Sequence, residues 1–572
     1  MDSNIVVKGE GPLPHLWNGG IGSHPHHMVP PLLQTYLSHP LDIIAGMGMQ
    51  TDSSVEAPAV SSAATEVHSE PANHPAAINH VKRPKHEGLA HVGIIFGNVG
   101  TCEFYCRIFG DIQTMEYIQV EHQHEGWVLG RVSTMERKTN LSLDKAKMIE
   151  DGEEVDIDEE VIAKVDIVGF RDDRGLLQMP RTPFKAGDHV YKATDDLIKK
   201  VIGLKENMET GAYVGLLFGH NIRVEVDINA MVQKHVCILA KTGGGKSFLC
   251  GDLIEELMKH DVTTLIFDPH GEYGAMRDKG SLPSSSRNFN VTTRSYADQI
   301  VEFATDTIIN PKAKPLRFTL ANIEARDLLE LTNIKKGAIY LKALREAIDA
   351  VRTAKKDYAL KDIIKVLEGD EEGKNNAIIA ELEYLNDINI FAAQGTKMEE
   401  LIARGKTTII NFKGTPPDIQ ELVVNRIATA CFELRKVGKV PPMMMVCEEA
   451  HNYCPQQGLA ASSKIFRTIA SEGRKFGLGL TVISQRAAKI DKNVLSQCNT
   501  QMILKVTNPN DLKAISNSLE GLSEGMEEEI QRLPVGVALI IGGNIQMPLF
   551  VEVRPRESRH GGESVEIIPT KR

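Results

Sequence analysis

The sequence predicts an α/β fold: a parallel sheet with crossover helices carrying a glycine-rich loop, interrupted by a helical insertion and preceded by a small β-barrel. Three observations predict it. Beyond Gln233, apolar strand-like runs alternate with helical patterns, the mark of a parallel sheet. Gly243, Gly244 and Gly245 stand between one such run and a helix that opens at Lys246. From Ala90 to about Ile228, short β-prone runs broken by Gly, Asp and Asn follow one another, which reads as a small barrel or sandwich.

In chain order, residues 1–88 are rich in Pro, Gly, Ser, Ala and His and carry no sustained period. Such a segment buries too little apolar surface to offset its ordering entropy, so a disordered tail is expected. His24, His26 and His27 read there as solvated polar residues rather than a metal site. Residues 89–228 hold the barrel runs HVGIIFG, CEFYCRIF, WVLGRVSTM, AKVDIVGF, HVYKA, VGLLFG and IRVEVDI. Residues 229–545 form the α/β core, with HVCILA, the helix KSFLCGDLIEELMKH and the strand TTLIFDP first. Strands vanish over about 316–404, where helical periodicity predicts the insertion. The alternation resumes with TTIINF, a helix from about Asp418 to Val437, MMMVCEEAHNY, LGLTVISQ, TQMILKV and VALIIGG. Residues 546–572 read as a C-terminal extension.

Bulk properties narrow the class. With 572 residues, 42% hydrophobic and 25% charged, the chain has room for two or three globular units. It shows no run of about 20 uncharged apolar residues and no basic, apolar secretory leader, so a cytoplasmic protein without membrane segments is expected. The eight cysteines are scattered and read as reduced thiols rather than a disulfide framework. Cys102 and Cys106 lack partners at zinc-site spacing. A formal charge of −11 argues against a surface coated in positive potential, yet a closed ring concentrates a few Lys and Arg in its channel whatever its net charge.

Thr242, Gly243, Gly244, Gly245, Lys246, Ser247 and Phe248 make up the candidate nucleotide-binding stretch. Glycines let backbone N–H groups turn toward a β-phosphate, the helix N-terminus adds its positive dipole end, Lys246 reaches β and γ oxygens, and the Ser247 hydroxyl ligates Mg²⁺. Ala240 occupies a position where such loops usually carry Gly; its small side chain fits the turn. Glu448 and Glu449 end the strand Met443–Cys447, at the edge where open α/β sheets bind ligands. Glu448 is assigned to the Mg²⁺ shell and Glu449 to polarising the attacking water. Asp268 ends another strand and is expected in the same crevice, with His270 and Glu272 beyond it. Gln485 ends a third, where an amide would bond the γ-phosphate or the lytic water. Arg474, in SEGRKFGLG, is read in a Gly-bounded turn, either as a solvated charge or as a finger reaching a neighbouring subunit's phosphate.

AKTGGGKS, FDPHGEY, CEEAHNY, SEGRKFG and VISQR, in this order, resemble the HerA family of the HerA and FtsK superfamily, over about Ala90 to Val553. The resemblance implies a RecA-like core behind a barrel of the type found in rotary ATPase subunits, assembly as a homohexamer, and ATP-driven translocation on or unwinding of DNA. It further implies a NurA-type nuclease partner in resection of double-strand breaks. By it Lys246, Ser247, Asp268, Glu449 and Gln485 match catalytic positions within one subunit, and Arg474 matches the arginine finger. Two rival readings stand beside it: a conjugation- or secretion-type ATPase, and a non-motor regulatory NTPase scaffold.

Overall fold

The computed structural model describes His86 and residues 88–562, apart from 321–322, 333, 335–336, 356, 370–372, 393, 459 and 519–524. The Pro- and His-rich tail with His24, His26 and His27, and residues 563–572, lie outside the described residues.

Seven strands open the described chain: β1 His91–Phe96, β2 Glu103–Ile108, β3 Tyr117–His122, β4 Gly126–Thr139, β5 Glu159–Arg171, β6 Leu177–Gln178 and β7 His189–Lys192. Their order is β2-β1-β7-β3-β4-β5-β6, and β5 pairs back onto β2, which closes an antiparallel six-strand barrel with β6 hanging on β5. Alternation drives the closure. In β2, Phe104, Cys106 and Ile108 are buried while Glu103, Tyr105 and Arg107 face out, as a strand with one wet face requires. Burial pushes the Cys106 thiol up to about 12; Cys102, exposed, lies outside this core.

The remaining strands are β8 Gly211–Leu217, β9 Arg223–Asp227, β10 Val236–Leu239, β11 Thr263–Asp268, β12 Ile300–Ala304, β13 Lys314–Pro315, β14 Phe318–Thr319, β15 Phe391–Ala392, β16 Thr407–Asn411, β17 Met443–Cys447, β18 Leu478–Ser484, β19 Thr500–Ile503, β20 Val537–Gly542 and β21 Ile545–Val553. All except β14 and β15 form one sheet, in the order β13-β12-β16-β11-β17-β18-β10-β19-β20-β21-β8-β9. From β13 to β19 the pairings are parallel; from β19 to β9 they are antiparallel.

Two expectations are corrected by this sheet. The β-prone texture of VGLLFG and IRVEVDI predicts barrel strands within 89–228, but they are β8 and β9 of the large sheet. The reason is legible in burial: all seven residues of β8 are buried, which a barrel strand with a solvated face does not allow. Likewise, residues from 546 onward do not form a separate extension. β21 pairs with β20 and β8, and the chain then runs back over the helix Lys246–Lys259, where Arg554 is fully buried.

That return is held by charge. Arg554 meets Glu255 and Glu256 at 3.0 Å and Asp252 at 3.5 Å, all buried on the Lys246–Lys259 helix. Removing one partner of a buried ionic cluster strands the others. Arg554→Ala is therefore expected to cost about 3–5 kcal/mol of stability, read as a lowered denaturant midpoint; a midpoint unchanged from the parent would show that the carboxylates are neutralised some other way.

The period of two sends alternate residues to opposite faces. Cys237, Leu239, Leu265 and Phe267 join a core shared with the insertion through Leu344, Ile348, Ile363 and Leu382. Val236, Ile238 and Ile266 pack on Leu249, Leu253 and Leu257 of the Lys246–Lys259 helix. The insertion itself carries the helices Leu341–Ala354, Leu360–Leu367 and Asn376–Asp387. Among the described residues no helix is long and apolar enough to cross a membrane.

His235 ties the sheet to the helix Ser463–Phe476. Its Nε2 donates to the Ala470 carbonyl and its Nδ1 accepts from the Leu480 N–H, both at 3.0 Å, a pattern that only the neutral ring satisfies. Burial lowers its pKa to about 4, below the unfolded value of about 6.5. The neutral ring's contribution to stability is thus full above the unfolded value and is lost as pH falls through the folded one. An NMR titration of the folded protein should find this ring neutral at pH 5.5; a midpoint near that of a free histidine would refute the assignment.

Candidate nucleotide-hydrolysis site

The phosphate loop leaves β10 at Leu239 and enters the helix Lys246–Lys259. Gly243 and Gly245 have φ of +72° and +94°, the left-handed region that glycine enters freely and other residues enter at a cost. A Cβ at Gly243 would meet nothing within 4 Å, so backbone geometry rather than crowding calls for Gly there. Ala240 is buried, with its Cβ 3.3 Å from where a Gly244 Cβ would stand, so a small residue suffices at that position. The helix is capped by Gly245 without a side-chain hydrogen bond, which leaves first-turn N–H groups for an anion.

Sheet order places β11, β17, β18 and β10 side by side, so their C-terminal ends gather the polar residues. Lys246 Nζ donates to Glu449 at 2.5 Å and to Glu448 at 3.0 Å. Successive residues of a strand point to opposite faces, yet these neighbours converge on one ammonium. The turn at Glu449 makes this possible: its backbone is left-handed, with φ 48° and ψ 45°, a conformation worth about 1–3 kcal/mol of strain that characteristically sits at functional sites. Burial disfavours the charge on Lys246, but the two carboxylates outweigh it and hold its pKa above the usual lysine value. Burial also opposes charge on Glu449, where the Lys246 ammonium prevails and lowers its pKa.

A hydrogen-bonded chain extends from this pair. Gln485 Nε2 donates to Glu449 Oε1 at 3.0 Å, and Thr242 Oγ1 donates to Gln485 Oε1 at 2.5 Å. On the other side, His451 Nδ1 lies 3.3 Å from Glu449 Oε2 and 3.0 Å from the Ser484 hydroxyl. Lys246, Glu449, Gln485, Thr242, Ser247 and Phe248 all line a cleft of about 730 Å³. The structure thus brings together the glycine loop, its lysine, one carboxylate and the amide.

Three sequence-based placements change. Glu448 does not line the cleft: Tyr273 OH donates to its Oε1 at 2.5 Å and Lys246 donates to its Oε2 at 3.0 Å, so it sits behind the lysine rather than at the cleft wall where the metal shell is expected. Asp268 turns inward instead of into the crevice. It accepts from the backbone N–H of Gly271 at 2.8 Å, Tyr273 at 3.0 Å and His270 at 3.3 Å, organising the loop that carries His270 and Glu272 to the cleft; burial pushes its carboxyl up to about 7. Arg474 is in the last turn of the helix Ser463–Phe476, not in a loop, and is exposed away from its own cleft. The helix continues because its stop is Gly477, with φ +68°, rather than Gly473.

Sequence reading missed Tyr273, His451 and the cleft walls Val535, Val553 and His560. Tyr273 and His451 stand inside FDPHGEY and CEEAHNY, beside residues already singled out. The other three carry no local signal, since only the tertiary return of the chain brings them to the loop.

A glycine loop at the end of a parallel strand, its lysine buried against strand-end carboxylates and an amide on the adjacent strand, define a P-loop ATPase. The helicase HerA central-domain family model matches residues 212–431. A probable helicase of Methanocaldococcus jannaschii is 30% identical over 443 residues, covering 71% of this chain and 79% of the relative. The DNA double-strand break repair helicase HerA of Pyrococcus furiosus is 26% identical over 545 residues, 83% of this chain and 96% of that one. Among solved structures, VirB4 of Thermoanaerobacter pseudethanolicus overlays with a TM-score of 0.46 at 17% identity, over 61% of this chain and 98% of that chain. The chain belongs to the HerA helicase family.

Proposed function

We propose that this chain is an ATP-driven DNA translocase and helicase that works as a homohexameric ring in the cytoplasm, resecting double-strand breaks with a NurA-type nuclease. The observation that carries the motor reading is the contact chain Thr242–Gln485–Glu449–Lys246, which joins the phosphate loop to a candidate base and a sensing amide. Loop N–H groups and Lys246 would hold the triphosphate, and the Ser247 hydroxyl would hold Mg²⁺, whose chemistry is to neutralise phosphate charge. Glu449 is the base that orients the lytic water. Glu448, engaged by Lys246 and Tyr273, positions the lysine. The repair reading is supported by the name of the Pyrococcus relative. We assign the barrel to assembly and guidance and the sheet domain with its insertion to the motor.

The test is the ATPase rate without nucleic acid, with single strands and with duplex, at two salt concentrations. Duplex is expected to stimulate turnover, and stimulation should fall steeply with salt and vary little with base sequence, as phosphate-dominated binding requires. Equal rates with and without DNA would make the chain a scaffold instead.

Arg474 is proposed to complete the neighbour's site. Lys246→Ala and Arg474→Ala, each inactive alone, should regain activity when mixed rings form, because some interfaces then hold both intact residues. With subunit exchange shown by pulling down one tagged variant with the other, a mixture as inactive as its parts would defeat the assignment.

A further inference from the structure

We infer that the C-terminal return, from Val553 to Gly562, builds the subsite for the nucleotide's base, with Phe248 and His560 as its flanking rings. The inference rests on the nucleotide reading of the loop given above, gives Phe248 of that stretch a specific role, and extends the site to the C-terminal return, which no motif marks. Lys246, Glu449 and Gln485 give the cleft a polar side. A second set of lining groups is of another kind: Phe248, Leu504, Val535, Val553 and His560 are apolar or aromatic. A nucleoside triphosphate has the same division, with a charged chain at one end and a flat base with apolar faces at the other. Aromatic faces hold such bases by stacking, whatever their edge chemistry.

The second set is assembled by the fold. The Val553 N–H donates to the Gly536 carbonyl at 2.8 Å, which sets Val535 and Val553 together at the rim. Val535 is 75% exposed, an apolar side chain offered to whatever enters. Phe248 is in the first turn of the Lys246–Lys259 helix, and its ring lies 5.9 Å from that of His560 at 61°. Leu504 sits under the loop, 3.3 Å from the Cβ position of Gly245.

His560 is held in place from the same helix. Glu557 and Ser558 donate backbone N–H groups to Glu255 at 3.1 and 2.8 Å, and the Ser558 hydroxyl adds a bond of 2.6 Å. Arg556 lies flat on Gly251, where a Cβ would come within 2.5 Å of the guanidinium, and donates to Nδ1 of His560 at 3.1 Å. Gly561 approaches the Glu272 carbonyl so closely that a Cβ would stand 2.2 Å away. The helix whose N-terminus faces the phosphates thereby also fixes the ring that would flank the base. Both halves of the ligand are read from one rigid element.

Two ligands separate the halves: Mg-ATP and Mg-tripolyphosphate, which lacks base and ribose. Calorimetric titration of His560→Ala and Phe248→Ala should show ATP affinity reduced about tenfold, the scale of one lost stacking contact, with tripolyphosphate affinity unchanged. As a variant that keeps the ring in place, Phe248→Trp should report binding by fluorescence, quenched by ATP and not by tripolyphosphate. Equal losses for both ligands, undiminished ATP binding, or quenching by tripolyphosphate would overturn the base subsite. Lys246→Ala serves as the separate control: it should weaken both ligands, and if it weakens neither, the phosphate loop reading fails independently of the base subsite.

Discussion

Glu449→Gln is expected to bind ATP and Mg²⁺ with near-normal affinity and to turn over at least about a hundredfold more slowly, the scale of a positioned general base. Its geometry separates binding from chemistry. Glu449 lines the cleft but lies beyond the glycine loop, at the end of β17, and one of its oxygens accepts from both Lys246 and Gln485. A glutamine carbonyl accepts those same two bonds, so shape and the left-handed turn persist. What is lost is the basic oxygen that would take or polarise a proton from water. Nucleotide titration beside single-turnover hydrolysis decides the matter. Loss of binding would make Glu449 structural, and an unchanged rate would transfer the base to another group, with His451 the nearest candidate at 3.3 Å.

Legibility followed locality. The P-loop, Glu449 and Gln485 were readable because each is a short motif attached to a strand whose C-terminal end must face the crevice. The large parallel sheet was readable from alternation. Failures arose where a residue's partner lies far along the chain, or where a local turn redirects a strand-end side chain. Strand β8 looks like any short β-prone run; only its burial on both faces, against β21 more than 300 residues later, assigns it to the large sheet. Asp268 ends a strand as a ligand residue would, but three backbone N–H groups of its own loop compete for it and prevail. Glu448 and Glu449 are adjacent in sequence, and their strand-end position suggests separate metal and base roles. The turn at Glu449 brings both to Lys246, and the Tyr273 hydroxyl then claims the remaining oxygen of Glu448. Arg554 and His560 had no sequence signal because their meaning comes from the carboxylates and ring they meet on the Lys246–Lys259 helix.

Lys246→Ala is expected to abolish hydrolysis almost completely while the fold survives, and the structure adds a second, electrostatic consequence. The ammonium removed is the one that would neutralise the γ-phosphate, so the loop would keep its N–H groups but lose its positive charge. A variant retaining more than half the parent rate would sink the phosphate-loop reading. Without Lys246, Glu448 and Glu449 stay buried beside each other with no cation between them, a situation that typically costs about 3–5 kcal/mol. The sign of the pH dependence follows. In the parent, Lys246 holds the Glu449 carboxyl below its ordinary range, so this group stabilises the fold above the unfolded carboxylate value and loses that contribution as pH falls through the folded one. In the variant, burial and the neighbouring carboxylate both raise the pKa, so the stability deficit against the parent should be largest at neutral pH and should shrink toward pH 5 as a proton replaces the missing ammonium. Denaturant midpoints of parent and variant at the two pH values measure this directly; a deficit that does not depend on pH would mean that the two carboxylates are not held by Lys246.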